Sequence, residues 1–175
     1  MTKWDNAKHF IDGTVKIFRK VDVLFNNIGA GIKSAPFDEL NIEEIDRGIA
    51  VNLIATLYGC RAVLPYMKKR KNGHIINTTS IPGIRARSGL AVYTAAKHGV
   101  DGFSRALLNE VNDFGIRVSV LAPAAVKTAW AEKAGINIFY VACKCRTLNF
   151  SGSALKAIIL FPSFWAFKRA VLASL

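Results

Sequence analysis

Apolar and polar positions along this chain alternate between helical and strand-like spacing. Near residues 5 to 19, Phe10, Ile11, Val15, Ile17 and Phe18 mark a broken helical stripe. Val21 to Phe25 is a short apolar run ending in Asn26-Asn27, the pattern of a buried strand. Asn41 followed by Glu44 forms a capping-box signature. From there Ile45, Ile49, Leu53, Leu57, Cys60, Leu64 and Met67 keep one helical stripe. His74 to Thr79 reads as a second strand. Val100, Phe103, Leu107 and Val111 make another helix face, ended by Gly115, and Arg117 to Leu121 reads as a third strand closed by Pro123.

Strand, helix, strand, helix, strand predicts an α/β fold with a parallel sheet and right-handed crossovers. Ligands of such sheets sit beyond the carboxyl ends of the strands. The polar candidates obey that rule. Asn26, Asn27 and Gly29 follow the first strand, Ser80 follows the second, and Pro123 to Thr128 follow the third.

Composition narrows the class. A chain of 175 residues with 51% hydrophobic content suits one domain able to bury a core. The net charge is +12, from 24 Lys plus Arg against 12 Asp plus Glu. Such a balance can mark nucleic-acid or anionic-membrane binding, or attract a phosphorylated cofactor. The dense run Lys68-Lys69-Arg70-Lys71 ends an apolar helical stretch and precedes Asn72-Gly73. It therefore reads as a solvated helix end stopped by Asn-Gly. No aromatic residues interleave with it, so no nucleic-acid partner is expected. Cys60, Cys143 and Cys145 have no metal spacing, and the histidines at 9, 74 and 98 do not group. No metal site is expected. The odd cysteine count and the lack of a signal peptide point to reduced thiols and a cytoplasmic location.

The sharpest chemical feature is YTAAK, Tyr93 to Lys97. Residues four apart on a helix share a face. A phenol has a pKa of about 10 and is a poor base. An ammonium at about 4 Å, at an effective dielectric of about 20, favours the phenolate by about 4 kcal/mol. That is roughly three pKa units. In bulk water the gain is only about 1 kcal/mol, so the pair needs a sheltered cleft. An isolated YxxxK is more often a packed Tyr beside a solvated Lys. Here Asn52 and Ser80 accompany it, a set suited to moving a hydride onto or off a carbonyl carbon.

On these residues the chain resembles the short-chain dehydrogenase/reductase family, in its compact branch, over roughly residues 5 to 130. VDVLFNNIGAG is similar to the family's strand ending in Asn-Asn-Ala-Gly, and Asn52, Ser80, Tyr93 and Lys97 fall at its catalytic positions. The resemblance implies a Rossmann-type parallel sheet with flanking helices and a catalytic domain over 1–130. It also implies NAD or NADP as cofactor, an alcohol or carbonyl substrate, and a homo-oligomer built on the helices over 42–67 and 93–114. Tyr93 would exchange the proton with the substrate oxygen. Lys97 would lower the phenol's pKa and bond the nicotinamide ribose, Ser80 would orient the substrate, and Asn52 would hold a relay water. Asn27, Gly29, Pro123, the Val126 backbone and Thr128 would contact the cofactor.

Three departures stand out. Ile28 replaces the small Ala of the turn, putting bulk near the adenosine side, and Ala124 replaces the usual Gly after Pro. The family's leading strand, TGxxxGxG turn and helix have no counterpart, so the first strands of the sheet are expected to be lacking. With them goes the residue that separates NAD from NADP. The Val21 to Phe25 strand is then expected to be an exposed apolar edge. Residues 131–175 form a divergent C-terminal segment, either a substrate lid or a tail from an altered reading frame. Asn137 to Cys143 reads as a strand within it. Lys156, Pro162, Lys168 and Arg169 interrupt the apolar stretch over 154–175, which argues against a membrane span, although a surface-lying helix over 164–175 fits the pattern. Two functional readings follow: an oxidoreductase, or an inactive relative that cannot hold the dinucleotide.

Overall fold

The computed structural model describes residues 1–123, 143–146 and 158–160. Helix α1, Trp4–Phe18, buries Ala7 and Ile11 and packs against the later helix α3. Arg19 ends it in the left-handed conformation (φ 65), its N–H donating to the Val15 carbonyl. The chain then enters β1, Val23–Asn26, buried at every position. Continuous burial suits a short apolar run inside a parallel sheet.

Asn41 opens α2, Ile42–Ile49, with the expected reciprocal cap. The Glu44 N–H donates to Asn41 Oδ1 at 2.8 Å, and the Asn41 N–H donates to Glu44 Oε2 at 3.1 Å. The helix then widens into a π turn over Ala50–Ile54 before continuing as α3, Ala55–Arg70. By length and composition Ile42–Arg70 could cross a membrane. Here Asn52, Thr56, Cys60, Val63 and Met67 are buried, as in a core helix. The helix stops one step before the expected Asn-Gly: Lys71 takes the left-handed conformation (φ 51). Gly73 instead starts β2, Gly73–Thr78, where a Cβ would lie 2.4 Å from Met67 Sδ. Two of the four cations in the basic run hold partners elsewhere in the fold. Lys68 lies over the Phe114 ring at 4.6 Å, and Arg70 bonds the Val21 carbonyl at 3.1 Å and Asp22 at 2.8 Å.

Helix α4, Ala91–Val111, returns the chain to β3, Ile116–Pro123, through Gly115 at φ 63. β1, β2 and β3 are parallel with β2 central, Leu24 opposite Ile75 and Ile75 opposite Val118. These three side chains meet Ile11, Val63, Met67, Leu107 and Val111 in one core. Each large aliphatic so buried contributes about 1.5–3 kcal/mol relative to exposure.

One expectation is corrected at the sheet margin. The β1 edge is not bare: β5, Ile158–Leu160, runs parallel to it opposite Val23, Leu24 and Phe25. Residues from the divergent segment thus satisfy backbone groups that an edge strand would leave open. On the other side β4, Cys143–Arg146, runs antiparallel to β3, sharing only Cys143 with the strand expected over 137–143. Residues 137–142 and the helix considered over 164–175 lie outside the described residues.

Candidate active site

The C-terminal ends of β1 and β2 and the first turns of α4 bring most of the candidates together. After β1 the backbone folds tightly, the Asn27 N–H donating to the Phe25 carbonyl at 3.1 Å. This throws Ile28 inward. It is 9% exposed and belongs to the core, so the bulk expected on the adenosine side is turned away from the cleft. Gly29 follows beneath two polar groups: a Cβ there would stand 3.0 Å from Asn52 Oδ1 and 3.2 Å from Lys97 Nζ. Gly29 therefore lies against both Asn52 and Lys97.

Asn52 sits in the π turn, fully buried. The widened turn aims its amide back at the loop after β1; such bulges recur at functional sites. Nδ2 donates to the carbonyls of Ala30 and Gly48, each at 3.1 Å, and Oδ1 accepts from the Ala30 N–H at 3.2 Å. Both amide protons are spent on the backbone, which leaves one lone pair of Oδ1 for the expected relay water.

Lys97 is 2% exposed. Its ammonium donates to the Thr78 carbonyl at 3.2 Å and the Ile28 carbonyl at 3.3 Å, bridging the ends of β2 and β1. Burial brings its pKa down to about 8. An ammonium has three protons. Two are used, and the third remains for an oxygen in the cleft.

Tyr93 lies one turn earlier on α4, with the Lys97 ammonium 5.8 Å from its ring centre. The expected lowering of the phenol pKa is not what this geometry delivers. Burial raises it above 10.0, and the hydrogen bond with Ser80 draws it back only in part. The cation is over the ring face, with its protons aimed at carbonyls rather than at the phenol oxygen. Ser80, at the end of β2, is extended and caps the short turn Ile81–Gly83.

Of the third-strand candidates, Pro123 is the last residue of β3. Ala124, Val126 and Thr128 lie outside the described residues. Among the described residues no cluster of three or more His, Cys, Asp or Glu could hold a metal.

Asn77, Ser104 and Thr79 escaped the sequence reading. Asn26 Nδ2 donates to Asn77 Oδ1 at 2.8 Å, and Asn77 Nδ2 donates to Ser104 Oγ at 2.9 Å, a buried polar line from β1 through β2 to α4. The Thr79 hydroxyl donates to the Lys97 carbonyl at 2.7 Å. The signal was there: polar residues inside otherwise apolar strand runs need partners when buried.

A buried ammonium with one proton to give, packed against Gly29, can donate to a ligand hydroxyl. Comparison with known proteins bears on this directly. The sequence profile described as short chain dehydrogenase matches residues 1–137. Levodione reductase of Leifsonia aquatica is 34% identical over 123 residues, covering 70% of this chain and 46% of that protein. The 3-oxoacyl-acyl-carrier-protein reductase of Thermotoga maritima is 34% identical over 133 residues, covering 76% and 54%. Among solved structures, ElxO with NADP bound superposes with a TM-score of 0.73 at 29% identity, over 75% of this chain and 53% of that one. The chain thus spans about half the length of these relatives.

Proposed function

The chain belongs to the short-chain dehydrogenase family, and on that premise we propose that its site interconverts an alcohol and a ketone or aldehyde, with Tyr93 as the proton donor. The observation that carries this reading is the buried Lys97 ammonium, fixed between two strand ends and facing Tyr93, itself hydrogen-bonded to Ser80. NAD or NADP supplies or accepts the hydride. This chain's residues bind, orient and handle the proton.

In the direction of ketone reduction, Ser80 holds the substrate oxygen and Tyr93 gives it a proton. Lys97 would offer its third proton to the cofactor's ribose. Its ammonium would also favour the phenolate that burial alone disfavours. The lone pair left on Asn52 Oδ1 leads the proton path toward Lys97. Asn27, Gly29, Pro123, the Val126 backbone and Thr128 would supply further cofactor contacts, as the family resemblance implies. We assign the chain a cytoplasmic setting, in which its thiols stay reduced.

The test is Tyr93→Phe in a chimera that joins a relative's amino-terminal half to this chain. Ketone reduction should fall at least about 100-fold, the range of general acid catalysis, with cofactor affinity nearly unchanged. A variant that kept most of its rate would remove Tyr93 from the role.

We further propose that two copies pair through the helices over 42–67 (α2 and α3) and 93–114 (α4) about a two-fold axis, the commonest arrangement for dimers. Sedimentation of a well-folded monomer at micromolar concentration would count against it.

A further inference from the structure

We infer that Thr79 and Gly83 act as a positioning pair for Lys97, holding the backbone of its helical turn while the end of β2 holds its ammonium. The inference rests on the reading of Lys97 given above and adds residues to it. Thr78 and Thr79 grip the lysine at both ends. The Thr78 carbonyl accepts from Nζ at 3.2 Å, and the Thr79 hydroxyl donates to the Lys97 carbonyl at 2.7 Å. Thr79 is itself held, its N–H donating to the Leu121 carbonyl of β3 at 2.8 Å, and it is 2% exposed. A buried hydroxyl needs a partner, and this one finds it on the residue whose side chain faces Tyr93.

The helix carbonyl has two lone pairs, so it can accept from Thr79 without giving up its helical bond. A flexible side chain four carbons long is thereby anchored at root and tip, which is what a fixed charge in a cleft requires.

Gly83 makes the grip sterically feasible. A Cβ at that position would stand 2.2 Å from Thr79 Oγ1, 2.9 Å from Lys97 Cβ and 3.0 Å from the Lys97 carbonyl oxygen. Two of these three contacts are on Lys97 itself. Any side chain at Gly83 must push the turn Ile81–Gly83 away from α4 or drive the threonine hydroxyl off its carbonyl. Neither residue reaches the cleft through a side chain of its own, so each acts through Lys97.

The test follows the Lys97 ammonium by NMR of lysines carbon-13 labelled at Cε, in the full 175-residue chain, with folding checked by circular dichroism. In the native chain Lys97 should titrate near 8, set by burial and by no acidic neighbour among the described residues. Thr79→Val keeps the shape and removes the hydroxyl. Its Lys97 midpoint should rise by about one pH unit or more as water reaches the loosened turn. Thr79→Ser restores the donor and should return the midpoint to within about 0.3 units of the native value, a small fraction of a pKa-unit effect. Gly83→Ala should raise it as Thr79→Val does, and it decides the matter if Thr79→Val fails to fold. Ile11→Val, a core change away from the site, should leave it alone. A folded Thr79→Val or Gly83→Ala with an unmoved midpoint, or Ile11→Val moving it equally, overturns the inference. The titration needs no turnover. A failed Tyr93→Phe test would remove the hydride-transfer reading without touching this result, and the converse also holds.

Discussion

Lys97 stands over the face of the Tyr93 ring, 5.8 Å from its centre, with its ammonium protons given to the carbonyls of Ile28 and Thr78. The pair is thus arranged as a cation above a ring rather than as an ammonium beside a phenol oxygen. Burial moves both groups toward neutrality, the phenol above 10.0 and the lysine down to about 8. Near pH 7 a lysine with that pKa is still mostly charged, so only the phenol needs an added charge or a hydrogen-bonding ligand to ionise.

That burial has a consequence for folding. The folded lysine releases its proton at about 8, and the unfolded one near 10.5. Between these values the unfolded chain binds more protons, so raising the pH favours the folded state. The native chain should gain about 2 kcal/mol relative to Lys97→Met between about pH 7.5 and 9.5. Urea unfolding of both proteins at the two pH values measures it. Equal pH dependence in the two would mean that Lys97 is solvated.

A second expectation contrasts two helical glycines. A Cβ at Gly59 would meet Asn26 Oδ1 at 2.5 Å, whereas nothing lies within 4 Å of one at Gly13. Asn26 cannot easily retreat, because its Nδ2 holds Asn77 at 2.8 Å. Gly59→Ala should therefore destabilise by about 1–3 kcal/mol, the cost of overpacking. Gly13→Ala, in α1, should stabilise by up to about 1 kcal/mol through helix propensity. Thermal unfolding of both variants checks the contrast, and a stabilising Gly59→Ala would show that the asparagine line yields.

Much of this arrangement was legible in the sequence. Helical and strand periods gave the three parallel strands and their helices, because a buried sheet writes its strands as short apolar runs. The capping box at Asn41 is local chemistry and formed as read. YTAAK gave a shared helix face, since spacing alone fixes that. The direction of the Tyr93 shift was not legible. It depends on where the Lys97 protons go, and that is set by carbonyls 69 and 19 residues away in sequence. The inward turn of Ile28 depends likewise on a two-residue backbone bend. The pairing of β5 with β1 joins positions far apart in the chain, and no periodicity in Ile158–Leu160 announces a partner.

The last expectation concerns cofactor affinity. These 175 residues contain no TGxxxGxG turn. Such a turn offers backbone amides at a helix amino terminus, where the dipole also favours the pyrophosphate. Without one in reach, the charge must be met by surface cations, each screened by water and salt and individually weak. Lys97, Gly29 and Tyr93, in the roles proposed for them, would address only the nucleoside side. Two or three hydrogen bonds at about 1 kcal/mol each do not offset an association entropy estimated at about 4 kcal/mol or more. The isolated chain should therefore bind NADH and NADPH more weakly than millimolar, while a chimera supplying the turn should bind one of them at least about 100-fold tighter, a gain of about 2.7 kcal/mol. Isothermal titration of both proteins with each reduced cofactor decides it. A micromolar dissociation constant for the isolated chain would mean that its own cations build a phosphate site.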